Sequence, residues 1–106
     1  EVMNAKEMAF DDFDAAMVYS PETGKVTNKM HRSSRAVKGG PVGVLRWDDD
    51  GYLRAKLNKK EYLVHRIAYL LHYGAINKRD RIYHVNGLRH DNRISNLRLS
   101  DRTRLN

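Results

Sequence analysis

The sequence predicts an α+β domain in which a small antiparallel sheet packs on one helix and is followed by a second hairpin with a short terminal helix. Three observations carry this. Tyr52, Arg54 and Lys56 alternate with Leu53, Ala55 and Leu57, the period of a strand with one buried and one basic face. Residues 65 to 73 place Ile67, Ala68, Leu70 and Leu71 on one helical stripe that stops at Gly74. Finally, two short apolar strands, around Ile82 to Val85 and Leu97 to Leu99, bracket a loop rich in Asn, Asp and Gly, residues that hold tight turns through side-chain to backbone hydrogen bonds.

The remaining elements follow in chain order. Val2, Ala5, Met8, Ala9 and Phe13 suit a short helix over residues 2 to 13. Met17-Val18-Tyr19 and Lys25-Val26-Thr27 flank the turn Ser20-Pro21-Glu22-Thr23-Gly24, which reads as a hairpin. Residues 31 to 43 form a basic, glycine-containing loop that either follows a phosphate backbone or is an ordinary exposed connection. Val42 to Trp47 is expected to pair with Tyr52 to Asn58 across Asp48-Asp49-Asp50-Gly51. The Asp-Gly there favours a hairpin turn over a metal loop. A third strand, Glu61 to Val64, follows the Asn58-Lys59-Lys60 turn. The chain thus divides into an acidic segment 1–18, a sheet-and-helix part 19–80 expected to bind DNA, and a hairpin part 81–106.

Composition narrows the chemistry. With 106 residues there is room for one domain. The absence of cysteine excludes disulfides, thiolate metal clusters and a cysteine nucleophile. The apolar runs are too short for a membrane helix, and no signal-peptide pattern is present, so a soluble, cytoplasmic protein is expected. The net charge is +7, unevenly placed: residues 1 to 24 carry −5, which leaves +12 for residues 25 to 106. A concentrated basic surface points to DNA or RNA first and less to an acidic membrane or protein, with Arg54, Lys56, Arg66, Arg81, Arg89, Arg93, Arg98 and Arg102 as candidate contacts to double-stranded DNA. The acidic N-terminus is a candidate surface for a protein partner.

His84-Val85-Asn86-Gly87, Asp91-Asn92-Arg93 and Asn96-Leu97-Arg98 together resemble the motif of the HNH endonucleases, in particular the small phage and intron-associated type. The resemblance extends upstream through Tyr19 to Gly24, Gly51-Tyr52-Leu53, His65-Arg66 and Tyr73-Gly74, covering residues 19 to 106. It implies a ββα-metal, His-Me finger-like arrangement and a DNA endonuclease of homing-endonuclease type, located in a bacterial host cell if phage-encoded. It implies His84 as the general base that activates water, Asn96 as the brace of the loop, and one divalent metal ion, magnesium first, with manganese, nickel or zinc as other candidates. Two positions depart from the pattern. Tyr83 stands where the family has Asp, and a phenol is a poor ligand at neutral pH. The last family ligand falls on Asn106, one residue later than the commonest spacing. The competing reading is a DNA-binding protein derived from an HNH nuclease, with its metal site weakened at Tyr83.

The other histidines and the aromatics have structural readings of their own. His65, beside Arg66 at the helix start, suits a structural or phosphate contact better than a metal ligand. His90 is expected in solvent, and His31 and His72 on the surface. Trp47, Tyr52 and Tyr62 are expected to pack rather than to stack on bases.

Overall fold

The computed structural model describes residues 8–34, 36–43 and 51–100. Helix α1 (Phe10–Ala16) leads into the antiparallel pair β1 (Met17–Tyr19) and β2 (Val26–Asn28), with Tyr19 opposite Val26. β3 (Arg54–Leu57) and β4 (Lys60–Leu63) form a second antiparallel hairpin, and β4 runs directly into helix α2 (Val64–Tyr73). β5 (Ile82–His84) pairs antiparallel with β6 (Leu97–Leu99) in the register Ile82 to Leu99 and His84 to Leu97, with a 3-10 turn (Ile94–Asn96) just before β6. These are the α+β class and, of the hairpins expected, the three whose strands lie among the described residues. Among the described residues no helix is long and apolar enough to cross a membrane.

Helix α2 is the centre of the core. Val64, Ile67, Ala68 and Leu70 are almost inaccessible and face Phe13 and Met17 from the N-terminal elements and Leu97 from β6. Burying each of the large side chains contributes about 1.5–3 kcal/mol. Gly74 ends α2 in the left-handed conformation at φ 88°, its N–H donating to the Leu70 carbonyl at 2.7 Å. Tyr62 meets Phe13 edge to face, with ring centres 5.0 Å apart, a packing role as expected.

Two expectations change, and a third falls outside the described residues. The described helix runs from Phe10 to Ala16, with Phe13 and Ala16 buried in the core and Met8 reaching it from ahead of the helix; residues 2–7 of the expected helix lie outside the described residues. Val85 was expected to anchor its strand, yet it is 56% exposed. The chain turns after His84, with the Gly87 N–H donating to the His84 carbonyl at 3.0 Å, so the inward face of β5 ends at His84. Residues 44–50, which hold most of the predicted Val42–Trp47 strand, Trp47 and the Asp48–Asp50 turn, also lie outside the described residues. Val42 itself is described, donating its N–H to the Val26 carbonyl at 2.8 Å.

Candidate nucleic-acid site on the terminal hairpin

Residues 85 to 96 fold back as a loop held by backbone turns and by a network of side-chain hydrogen bonds. Asn96, 5% exposed, accepts a hydrogen bond from the Asn86 backbone N–H at 2.9 Å. Its own amide nitrogen donates to Asn86 Oδ1 at 3.0 Å and to the Asp91 carbonyl at 2.8 Å. Asn86 in turn donates to Asp91 Oδ2 at 2.8 Å, and its Oδ1 accepts from the Leu88 N–H at 2.9 Å. Such closed polar networks rigidify because every member has a partner. The Asp91 carboxylate also takes both arms of Arg93, at 2.9 and 2.8 Å. These bonds, Arg93 first, hold its carboxyl far below the usual carboxylate range.

The alternation of β5 sends Ile82 and His84 inward and Tyr83 outward. His84 is 8% exposed, and its Nε2 lies 2.8 Å from Oδ1 of Asn92, itself buried. A carboxamide oxygen only accepts, so Nε2 is the donor in this contact, and in a neutral ring Nδ1 would carry the lone pair. Asn92 is fixed from outside the hairpin, because the Tyr19 hydroxyl donates to its carbonyl. The turn before β2 completes the clamp: the Ile94 N–H donates to the Pro21 carbonyl at 3.0 Å, and Gly24 lies against the Asn92–Arg93 backbone. The upstream residues of the resemblance therefore hold the site's loop in place.

Behind His84 stand two rings. His65, in the first turn of α2, lies edge-on to His84 with centres 5.0 Å apart; Tyr52 is 5.2 Å from His65 and 5.9 Å from His84. The Arg89 guanidinium sits over the Tyr52 ring at 4.9 Å, within cation–π range. His65 is 5% exposed, and its Nδ1 has no hydrogen-bond partner. Burial first, then His84, Arg66 and Arg54, lowers its pKa from 6.5 to about 3, so it is neutral at physiological pH.

That shift fixes a pH dependence. The unfolded chain protonates His65 near pH 6.5 while the folded chain resists until about pH 3, so its contribution is fully present above pH 6.5 and declines as pH falls through that window. Moving from pH 7 to pH 5 is expected to lower the unfolding free energy by about 2 kcal/mol through this group. Urea denaturation at the two pH values should show the loss, and His65→Gln should show much less of it. An equal loss in the variant would place the effect elsewhere.

The predicted cations fall into different surroundings. Arg66 donates to the carbonyls of Asp80 and Asn77, joining α2 to the turn at residues 77–80. Arg93 is paired with Asp91. Arg98 is exposed and donates to the Leu97 carbonyl at 3.0 Å. Lys56, Arg81 and Arg89 are exposed, and Arg54 is half-buried on β3. His31, His72 and His90 are exposed. Arg102 and Asn106 lie outside the described residues. Asn92 was quoted in the motif without a role, and the partnership of Tyr52 and His65 with His84 was not anticipated. Nothing in sequence spacing brings residues 52, 65 and 84 together; the Asp-Asn-Arg triplet was the only signal for Asn92.

The described residues do not fit a divalent metal. No group of three His, Cys, Asp or Glu side chains among them could hold one, and Tyr83, 51% exposed, puts a phenol rather than a carboxylate on the face of β5 away from His84.

Comparison with known proteins agrees with the motif. The family model described as HNH endonuclease matches residues 62–106. Among solved structures, "DNA binding and cleavage by the HNH homing endonuclease I-HmuI" superposes with a TM-score of 0.57 at 23% identity, over 88% of this chain and 51% of that one. The chain thus spans about half the length of that protein, and the likeness is one of fold. No curated protein matches the chain. The resemblance read from the sequence therefore holds: residues 62–106 carry the HNH endonuclease motif.

Proposed function

We propose that this chain binds double-stranded DNA through its basic face and hydrolyses a phosphodiester with His84 as general base. The observation that carries the reading is the Asn92 Oδ1 to His84 Nε2 contact at 2.8 Å. It fixes the tautomer that leaves Nδ1 free to take a proton, with the ring held by Tyr52 and His65. In the proposed step Nδ1 removes a proton from water, the resulting hydroxide attacks phosphorus, the P–O bond to the leaving sugar oxygen breaks, that oxygen takes a proton from a solvent water, and the imidazolium returns its own proton to solvent. Asn96 keeps the loop closed around His84, and Arg89 holds its positive charge over the Tyr52 ring that neighbours His84.

One observation favours a second reading, DNA binding without cleavage: the family's carboxylate position is Tyr83, a phenol facing outward. A plasmid assay separates the two. The chain is incubated with supercoiled DNA in magnesium, in manganese and in chelator, alongside gel retardation at increasing salt. Nicking supports the first reading; salt-sensitive retardation with no nicking under any condition supports the second. Because residue 83 faces away from His84, Tyr83→Asp is expected to leave the fold and the nicking rate in magnesium unchanged; a tenfold or greater rise would show that a carboxylate at 83 reaches the reacting phosphate. No change in rate would show that residue 83 is not the limiting position.

A further inference from the structure

We propose that the cleft between residues 28–34 and 36–43 on one side and the β3–β4 hairpin on the other seats a phosphate backbone of duplex DNA, a second contact apart from the His84 hairpin. This rests on the DNA-binding reading above and adds a place on the molecule. The cleft, about 840 Å³, is lined by Arg32, Arg54, Lys56 and Lys59 against a single carboxylate, Glu61.

Two features mark it as built for an anion rather than merely basic. The first is Arg32. Its Nε and Nη2 donate to Oδ1 of Asn28 at 3.2 and 2.8 Å, and its Nη1 donates to the Lys56 carbonyl at 3.3 Å. Asn28 is itself 3% exposed and locked between the backbone N–H of Gly39 and the carbonyl of Gly40. The guanidinium is thus oriented by a neutral amide and a carbonyl, so its position is fixed while its full charge remains. Of the five N–H groups of an arginine, these bonds leave two for an incoming phosphate.

The second is the turn between β3 and β4. Asn58 and Lys59 have φ of 52° and 69°, the two left-handed positions of a hairpin turn in which Asn-Gly is the favoured pair. Asn tolerates that conformation, but lysine does so at a cost that glycine would avoid. A cationic side chain is kept at the lip of the cleft where the backbone prefers none, and local strain of this kind clusters at sites of function.

The test measures binding of a fluorescent duplex by anisotropy across a range of salt, with thermal melting of each variant. Replacing both Lys56 and Lys59 by Gln should flatten the plot of log affinity against log salt by about 2, from about 0.9 per phosphate contact, which is roughly eightfold in affinity per contact at 0.1 M salt. Lys59→Gly should move the two readouts in opposite directions: a Tm higher by roughly 4 °C, with weaker DNA binding. Lys78→Gln, an exposed charge outside the cleft, should change neither. An unaltered slope in the double variant, or an equal loss from Lys78→Gln, overturns the cleft assignment while leaving DNA binding intact. Displacement by polyglutamate as effective as by unlabelled duplex would make the cleft a surface for acidic protein instead, and overturns it too. No binding by the unaltered chain removes the DNA reading and this one with it.

Discussion

Replacing His84 by alanine is expected to lower plasmid nicking by about 10²–10⁴-fold, the usual contribution of a positioned general base, while changing duplex affinity little. The two readouts separate because His84 is buried and hydrogen-bonded inward, whereas the cations that would meet phosphates lie outside it. The substitution also leaves Asn92 Oδ1 without its partner, a loss of about 1 kcal/mol in stability that melting can check separately. Asn92→Ala should lower nicking while keeping the imidazole, since the ring then loses the bond that selects its tautomer. Full nicking by His84→Ala would remove this residue from the reaction. Full nicking by Asn92→Ala would leave the base in place and discard only the orienting bond.

How much of this site could be read beforehand follows from which interactions are local. The terminal hairpin was legible because its motif packs turn-forming residues, strand apolars and a histidine into about twenty positions, and the loop's hydrogen bonds among Asn86, Asp91 and Asn96 all close within that span. Helix α2 was legible for the same reason: its stripe and its stop at Gly74 are both set by nearby residues. The cluster around His84 was not. Tyr52, His65 and His84 belong to three elements, and only the packing of α2 against the hairpin brings their rings together. The orientation of Tyr83 follows directly from strand alternation once His84 is known to face inward. What the sequence did not show is which of the two faces would be covered. Val85 was misjudged on the same point, since hydrophobicity alone does not reveal where a three-residue strand ends.

Gly24 offers the test of how far the upstream turn governs the site. It sits at φ 78°, and a Cβ built on it would lie 2.4 Å from the Arg93 nitrogen and 2.7 Å from the Asn92 carbonyl carbon. Both are backbone atoms, so the clash is not relieved by rotating a side chain. Gly24→Ala therefore combines left-handed strain with overpacking and is expected to destabilise by about 3 kcal/mol, on the order of 15 °C in Tm for a domain of this size. Gly39 provides the control: its φ is 80°, but an added Cβ meets nothing within 4 Å, so Gly39→Ala should lose only the conformational share, about 1 kcal/mol. The difference between the variants isolates the contact between the turn and the loop. Because the displaced backbone belongs to Asn92, whose side chain orients His84, Gly24→Ala should also lower nicking at temperatures where the variant remains folded, and Gly39→Ala should not. Equal melting temperatures for the two variants would mean that the turn and the 92–93 backbone separate without penalty, and the upstream segment would then be a neighbour of the site rather than its support.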